Sequence, residues 1–155
     1  MLIVYADISG PPNQLIGQIQ AEPGVTAVDL FDAFNGTPTL GQLQQYNIVY
    51  AFSNNKWFNA TAMGDVLADY EDAGGVVLVS TFSWDNRGGW NLAGRWMTGG
   101  YTPYDSTSNT NFSNNTANIT DPGHPLMQGV SSLSAWVNAA SSGMKSRLSL
   151  NKIRS

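Results

Sequence analysis

Any nucleophilic chemistry in this sequence depends on hydroxyl groups, because the chain has no cysteine and only one histidine. Thr81 and Ser83 follow the apolar run Val76–Val79, where α/β folds often expose a nucleophile. His124 is the one imidazole available as their general base. The G-x-S-x-G elbow is absent and Gly-His-Pro is typical of a turn, so we interpret His124 first as a turn residue. Thr81, Ser83 and His124 are the candidate residues of an alternative, hydrolytic function.

Polar and aromatic residues follow the other apolar runs as well. Asp7, Ser53 and Asn54 come directly after two predicted strands, and Trp84 follows a third. Ligands of open parallel sheets bind outside the carboxyl ends of the strands, so these four are the candidate ligand-binding residues. The rings of Trp84, Trp90 and Tyr101 suit stacking on a carbohydrate, although such rings can equally cover the open end of a core.

Several ligand classes have no motif in this chain. Neither G-x-x-x-x-G-K-[ST] nor G-x-G-x-x-G occurs, which argues against the usual nucleotide sites. One histidine without cysteine does not make a typical zinc site, and the spacing of the aspartates matches no calcium loop. We therefore predict no metal and no cofactor, and a partner that is an unidentified small molecule, a carbohydrate or a neighbouring domain.

The charge distribution argues against nucleic acid as a partner. Residues 1–144 hold three basic and eleven acidic side chains, a net charge of −8, whereas Lys145, Arg147, Lys152 and Arg154 lie in the last eleven positions. An acidic body repels a phosphate backbone, and the basic tail has no interleaved aromatic residues. We interpret residues 141–155 as a disordered or non-native tail.

The apolar runs are too short for membrane insertion. The longest, Leu2–Ala6 and Val76–Val79, have the length of strands. Met1 leads straight into the first run without a basic segment or a cleavage site, so we predict no signal peptide in this sequence. The Asn, Ser and Thr-rich stretch 102–120 is typical of secreted bacterial proteins, and we expect an extracellular or cell-surface domain cut from a longer chain. A cytoplasmic protein is the alternative.

Alternating strands and helices in the first half predict an α/β fold with a mostly parallel sheet in one domain, residues 1–140. The predicted strands are Leu2–Ala6, Val25–Phe31, Asn47–Ser53 and Val76–Thr81. The second alternates, and the other three are predicted to be buried. The predicted helices are Asn13–Glu22, Thr39–Tyr46 and Asn59–Ala73, the last capped by Asn59 or Thr61. After Thr81 we expect a short helix near Trp90–Met97 and short strands around Tyr101–Tyr104 and Phe112–Ile119.

Two segments together carry a family resemblance. Gly75–Thr81 follows an acidic helix that ends in Gly-Gly, and the segment His124-Pro-Leu-Met-Gln-Gly-Val130 comes downstream. This pattern resembles the class I glutamine amidotransferase-like superfamily, especially its trehalose-utilisation-like branch. The resemblance implies a flavodoxin-like three-layer α/β/α sandwich. The chain lacks the cysteine of true amidotransferases, and Leu126 stands where their His-x-Glu pair has glutamate, which implies loss of glutaminase chemistry.

These observations favour a non-catalytic binding or interaction domain of a larger, secreted bacterial protein. The missing cysteine nucleophile and the polar, aromatic loop region are the reasons. The alternative is a hydrolase that acts on a sugar, an ester or an amide through Thr81 or Ser83 and His124.

Overall fold

The computed structural model describes residues 1–85, 88–102, 110–111, 115–117, 121–135 and 139–140. Four parallel strands form its main sheet: β1 (Leu2–Ala6), β2 (Asp29–Asp32), β3 (Ile48–Ser53) and β4 (Val76–Val79). Three helices connect them: α1 (Asn13–Gln20), α2 (Leu40–Leu43) and α3 (Ala60–Asp72). The strand order β2-β1-β3-β4 confirms the predicted α/β fold and agrees with the first four strands of a flavodoxin-like order.

β1 is the strand that the sequence predicts best. Its five residues are apolar and all are buried, because β2 and β3 pair with it on either side. Leu2 pairs with Asp29 of β2 and with Val49 of β3, so all three strands are in parallel register. The chain leaves β1 toward β2 and later returns to the other side of β1, which places the switch in strand order between β1 and β3.

α3 packs against one face of this sheet and contributes one part of the core. Asn59, one of the two predicted caps, is its N-cap, and the Asn59 side chain accepts a hydrogen bond from the Ala62 N–H. Helical spacing puts Met63, Leu67 and Tyr70 on one buried stripe of α3. They pack against β1 and β3, whose residues on this face include Leu2, Val4, Ala6, Val49 and Ala51.

The boundaries of several elements differ from the prediction. α1 ends at Gln20 rather than Glu22, and β4 ends at Val79 rather than Thr81. β2 begins at Asp29 rather than Val25, because only Asp29–Asp32 pair with β1. α2 is confined to Leu40–Leu43, although Thr39 and Gln42 form the complete capping box that begins it.

The prediction that β4 is buried is wrong. β4 lies at the edge of the sheet, and the side chains of Val76 and Leu78 are 51% and 47% exposed. Val77 and Val79 point to the opposite face and pack against the core. A run of four apolar residues predicts a strand, but the cover over that strand depends on residues elsewhere in the chain.

After β4 the chain forms a 3₁₀ turn (Thr81–Trp84) and then helix α4 (Gly94–Thr98), which packs on α3. Four short strands follow: β5 (Thr110–Asn111), β6 (Asn115–Ala117), β7 (Leu133–Ala135) and β8 (Ala139–Ala140). β5 pairs with β8 and β6 with β7, in both cases antiparallel. The predicted strands around Tyr101–Tyr104 and Phe112–Ile119 fall partly outside the described residues, and the predicted tail 141–155 falls wholly outside them.

Candidate functional site

The loops after β1 and β3 meet at the switch point, as the sequence predicts. Asp7 and Asn54 are in contact there: the Asn54 Nδ2 donates to Asp7 Oδ2 at 3.0 Å. Asp7 Oδ1 accepts from the Ser9 N–H at 2.8 Å, and Asn55 Oδ1 accepts from the Ile8 N–H at 2.8 Å. The two loops are therefore tied to each other by side chains that the sequence offers as ligand groups.

Ser53 has a structural contact in this region. Its side chain is buried, and its Oγ donates to the Trp90 carbonyl at 2.8 Å. The indole Nε1 of Trp57 donates to the same carbonyl at 2.9 Å. These two bonds hold the loop of Trp90 against the end of β3, while the Trp90 ring packs edge-on against Phe82 at 5.3 Å between centroids.

The structure encloses the candidate nucleophile Ser83. Its side chain is 0% exposed, and its Oγ has no hydrogen-bond partner among the described residues. The Ser83 backbone is fixed on both sides, because its N–H donates to Ser80 O and its carbonyl accepts from the Leu92 N–H. Thr81 is the first residue of the 3₁₀ turn, and its side chain is not among those described. A buried hydroxyl cannot meet a substrate unless this turn moves.

His124 lies in an exposed turn. Its N–H donates to Asp121 O at 3.3 Å, and its carbonyl accepts from the Met127 N–H at 2.8 Å, which agrees with its interpretation as a turn residue. Since Ser83 Oγ has no hydrogen-bond partner, His124 is not bonded to that hydroxyl in this structure. The hydrolytic assignment stays a prediction without the nucleophile-to-base contact that such chemistry uses.

The described surface has a groove beside β4, with a volume of about 600 Å³. Its walls are β4 itself and the side chains of Trp84, Trp96 and Tyr101, with Glu71 and Asp72 at one end. The Trp84 Nε1 donates to Thr102 Oγ1 at 3.0 Å, which holds one wall in place. Trp84 thus lies at this groove, while Asp7, Ser53 and Asn54 lie at the switch point. The four candidate ligand-binding residues therefore divide between two places.

A cluster of charged and aromatic residues that the sequence does not reveal as a unit supports the groove. Arg95, on α4, bonds Asp69 and Asp72 of α3, the latter at 2.6 Å. Tyr101 donates to Asp72 Oδ2 at 2.7 Å and accepts from Arg95 Nη2 at 2.8 Å. The guanidinium carbon of Arg95 also lies 5.6 Å from the centre of the Tyr101 ring, within the range of a cation–π contact.

Electrostatics in this cluster stabilise Arg95 as a cation and Tyr101 as a neutral phenol. The hydrogen bond to Asp72 is the main cause that raises the pKa of Arg95, and Asp69 adds to it. The bond from its hydroxyl to Asp72 is likewise the main cause that raises the pKa of Tyr101, with burial second. Both groups therefore keep these forms at neutral pH, and their hydrogen bonds to Asp72 join α4 and Tyr101 to the end of α3.

The part of the chain that the structure describes contains neither a metal-ligand cluster nor a membrane-spanning helix. No three potential metal ligands among histidine, aspartate and glutamate come together there. None of the helices in those same ranges combines the length and the apolar character needed to cross a membrane. Comparisons with family models, with curated proteins and with solved structures find no match to this chain.

Proposed function

We propose that this chain is a non-catalytic binding or interaction domain, and that the groove beside β4 is its binding surface. The observation that carries the proposal is the difference in exposure between the groove and the candidate nucleophile. The groove is open and lined by apolar and aromatic side chains, while the hydroxyl best placed in sequence to be a nucleophile is fully buried. A shaped, mostly apolar concavity with a few polar groups is the usual form of a binding site.

The wider setting is part of the same proposal. The polar, low-charge stretch 102–120 and the sequence resemblance to the glutamine amidotransferase-like superfamily favour a secreted bacterial protein of which this domain is one part. In that setting a domain without the amidotransferase cysteine contributes recognition rather than turnover.

The experiment that tests the proposal compares binding with hydrolysis on the same protein. ¹H–¹⁵N spectra are recorded with cellohexaose, with chitohexaose and with a short extended peptide, and the indole signal of Trp84 reports on the groove. p-Nitrophenyl acetate and p-nitrophenyl glycosides are offered in parallel to the wild type and to His124→Ala. We expect a groove signal to move with at least one ligand and no turnover above buffer. Turnover that His124→Ala abolishes would establish the hydrolase instead.

A further inference from the structure

β4 has an open hydrogen-bonding edge. The Val76 N–H donates to Asn47 O and the Ser80 N–H donates to Ala51 O, so the even-numbered residues turn their backbone groups toward β3. Alternate residues of a strand point their backbone groups to opposite sides, so Val77 and Val79 direct theirs away from the sheet. No described strand pairs with β4 on that outer side.

The edge is also apolar, which makes it a template for another strand. On one face of the sheet Val76 and Leu78 are about half exposed, and on the other face the groove lies beside Val77 and Val79. An added strand would place alternate side chains on these two faces. Proteins usually protect an exposed strand edge by keeping the strand short or by placing charged side chains on it. An edge without such protection can pair with a strand from another chain.

We propose that the β4 edge binds an extended peptide segment of a partner protein as a fifth strand, with apolar side chains at alternate positions and a lysine or arginine at one end. This inference rests on the proposed function, since it names the kind of ligand that the groove takes. The outward N–H and C=O groups of Val77 and Val79 bind its backbone, and the groove takes every second side chain.

Charge selects the basic end of this peptide. Glu71 and Asp72 line the groove, and α3 ends at Asp72 shortly before β4 begins, so these carboxylates lie by the first residues of β4. Asp65 and Asp69 add two more carboxylates to α3, and residues 1–144 as a whole carry a net charge of −8. A basic side chain of the peptide would be attracted to these carboxylates, which contributes a modest gain in binding free energy at an exposed position.

The other possible occupants fit less well. The later strands of this chain that the structure describes pair with one another rather than with β4. A second copy of the chain would bring the same acidic body, with eleven acidic and three basic side chains in residues 1–144, to an acidic rim. An oligosaccharide would need an open ring face, but Tyr101 stacks on the buried Trp96 at 5.9 Å between centroids, and Trp84 is only partly exposed.

The test uses the acetylated and amidated peptide Lys-Val-Thr-Val-Thr-Val and its reversed sequence, which cover the two strand directions. We expect one of them to bind, with downfield shifts and slower exchange of the Val77 and Val79 amide protons. Replacing the peptide lysine by glutamate should weaken binding by about 2- to 5-fold. N-methylation of alternate peptide amides, which removes the donors without touching the protein, should weaken it by about tenfold or more.

The matched protein variants are Val77→Pro and Val77→Thr. Proline removes an N–H that the sheet does not use, whereas threonine keeps it. We expect about tenfold weaker binding for Val77→Pro than for Val77→Thr, each with a native spectrum elsewhere. If Val77→Pro does not fold, the N-methylated peptides decide the same question.

Three results would overturn the inference. The first is binding that moves signals elsewhere and leaves Val77 and Val79 unchanged. The second is slow exchange of these two amide protons in the free protein. A dimer in sedimentation would assign that protection to a second copy, and loss of the protection on truncation after residue 143 would assign it to the basic end of this chain. The third is binding of cellohexaose or chitohexaose at the groove with no peptide bound, which would leave the proposed function standing. Hydrolysis that depends on His124 would overturn both this inference and the proposed function.

Discussion

Replacement of Gly64 by alanine tests the packing of α3 on α4, which places Trp96 and Tyr101 at the groove. Gly64 is buried in the middle of α3. A Cβ there would fall within contact distance of the Ala93 carbonyl, 3.0 Å from its carbon and 3.1 Å from Trp96 Cβ. The obstacle is backbone, which cannot turn aside as a flexible side chain can, so the two helices must separate.

The expected loss follows from two opposing effects. Alanine gains about 1 kcal/mol over glycine in a helix interior. Overpacking of a well-packed contact costs about 1–3 kcal/mol and occasionally more. Separation also strains the bond from the Ala93 N–H to Ala60 O, now 3.1 Å, a bond worth about 1 kcal/mol. We therefore expect Gly64→Ala to lower the free energy of unfolding by about 1–3 kcal/mol.

Gly17→Ala is the matched control, because Gly17 is an exposed residue of α1 and a Cβ there meets nothing within 4 Å. It should raise the free energy of unfolding by up to about 1 kcal/mol. Urea unfolding followed by tryptophan fluorescence measures both variants. If Gly64→Ala proved as stable as Gly17→Ala, the close approach of α3 and α4 would be wrong, and with it the wall of the groove.

Variants at three further positions test single side-chain groups by urea unfolding. Tyr70→Phe should cost about 1 kcal/mol at pH 7, because the Tyr70 hydroxyl donates to Tyr46 O at 2.7 Å. Burial raises the pKa of Tyr70, so this group's stabilisation is complete below about pH 10 and declines as the pH rises further, and Tyr70→Phe should flatten that decline. Asn59→Ala should cost about 1 kcal/mol through loss of the α3 cap, with Asn59→Asp nearly neutral. Ser83→Ala should be neutral or stabilising by up to about 2 kcal/mol, since it removes a buried hydroxyl without a partner, and a clear loss of stability would show that Ser83 has one.

The elements that the sequence predicts well are those whose signals are local. β1 is apolar at every position and ends before a proline pair, and α3 has a cap, an apolar stripe and a Gly-Gly end. These features decide backbone conformation within a few residues, so Leu2–Ala6 and the Asn59 cap come out as predicted.

The candidate site depends on contacts between distant residues, which periodicity does not contain. Arg95 meets Asp72 across 23 positions and Ser53 meets Trp90 across 37. The Asp7–Asn54 contact could be anticipated only because the carboxyl ends of neighbouring parallel strands meet at one edge of the sheet. The burial of Ser83 could not be anticipated, since its neighbours after β4 belong to no regular pattern.

The exposure of β4 joins the fold to the proposed function. Val76–Val79 has the composition of a strand covered on both faces, yet Val76 and Leu78 remain half exposed at an edge with which no described strand pairs. Burial of such side chains contributes about 25 cal/mol for each Å² removed from water, and a paired edge adds backbone hydrogen bonds. A sequence that keeps four consecutive apolar residues at this position is therefore consistent with a strand that is covered when the domain meets its partner.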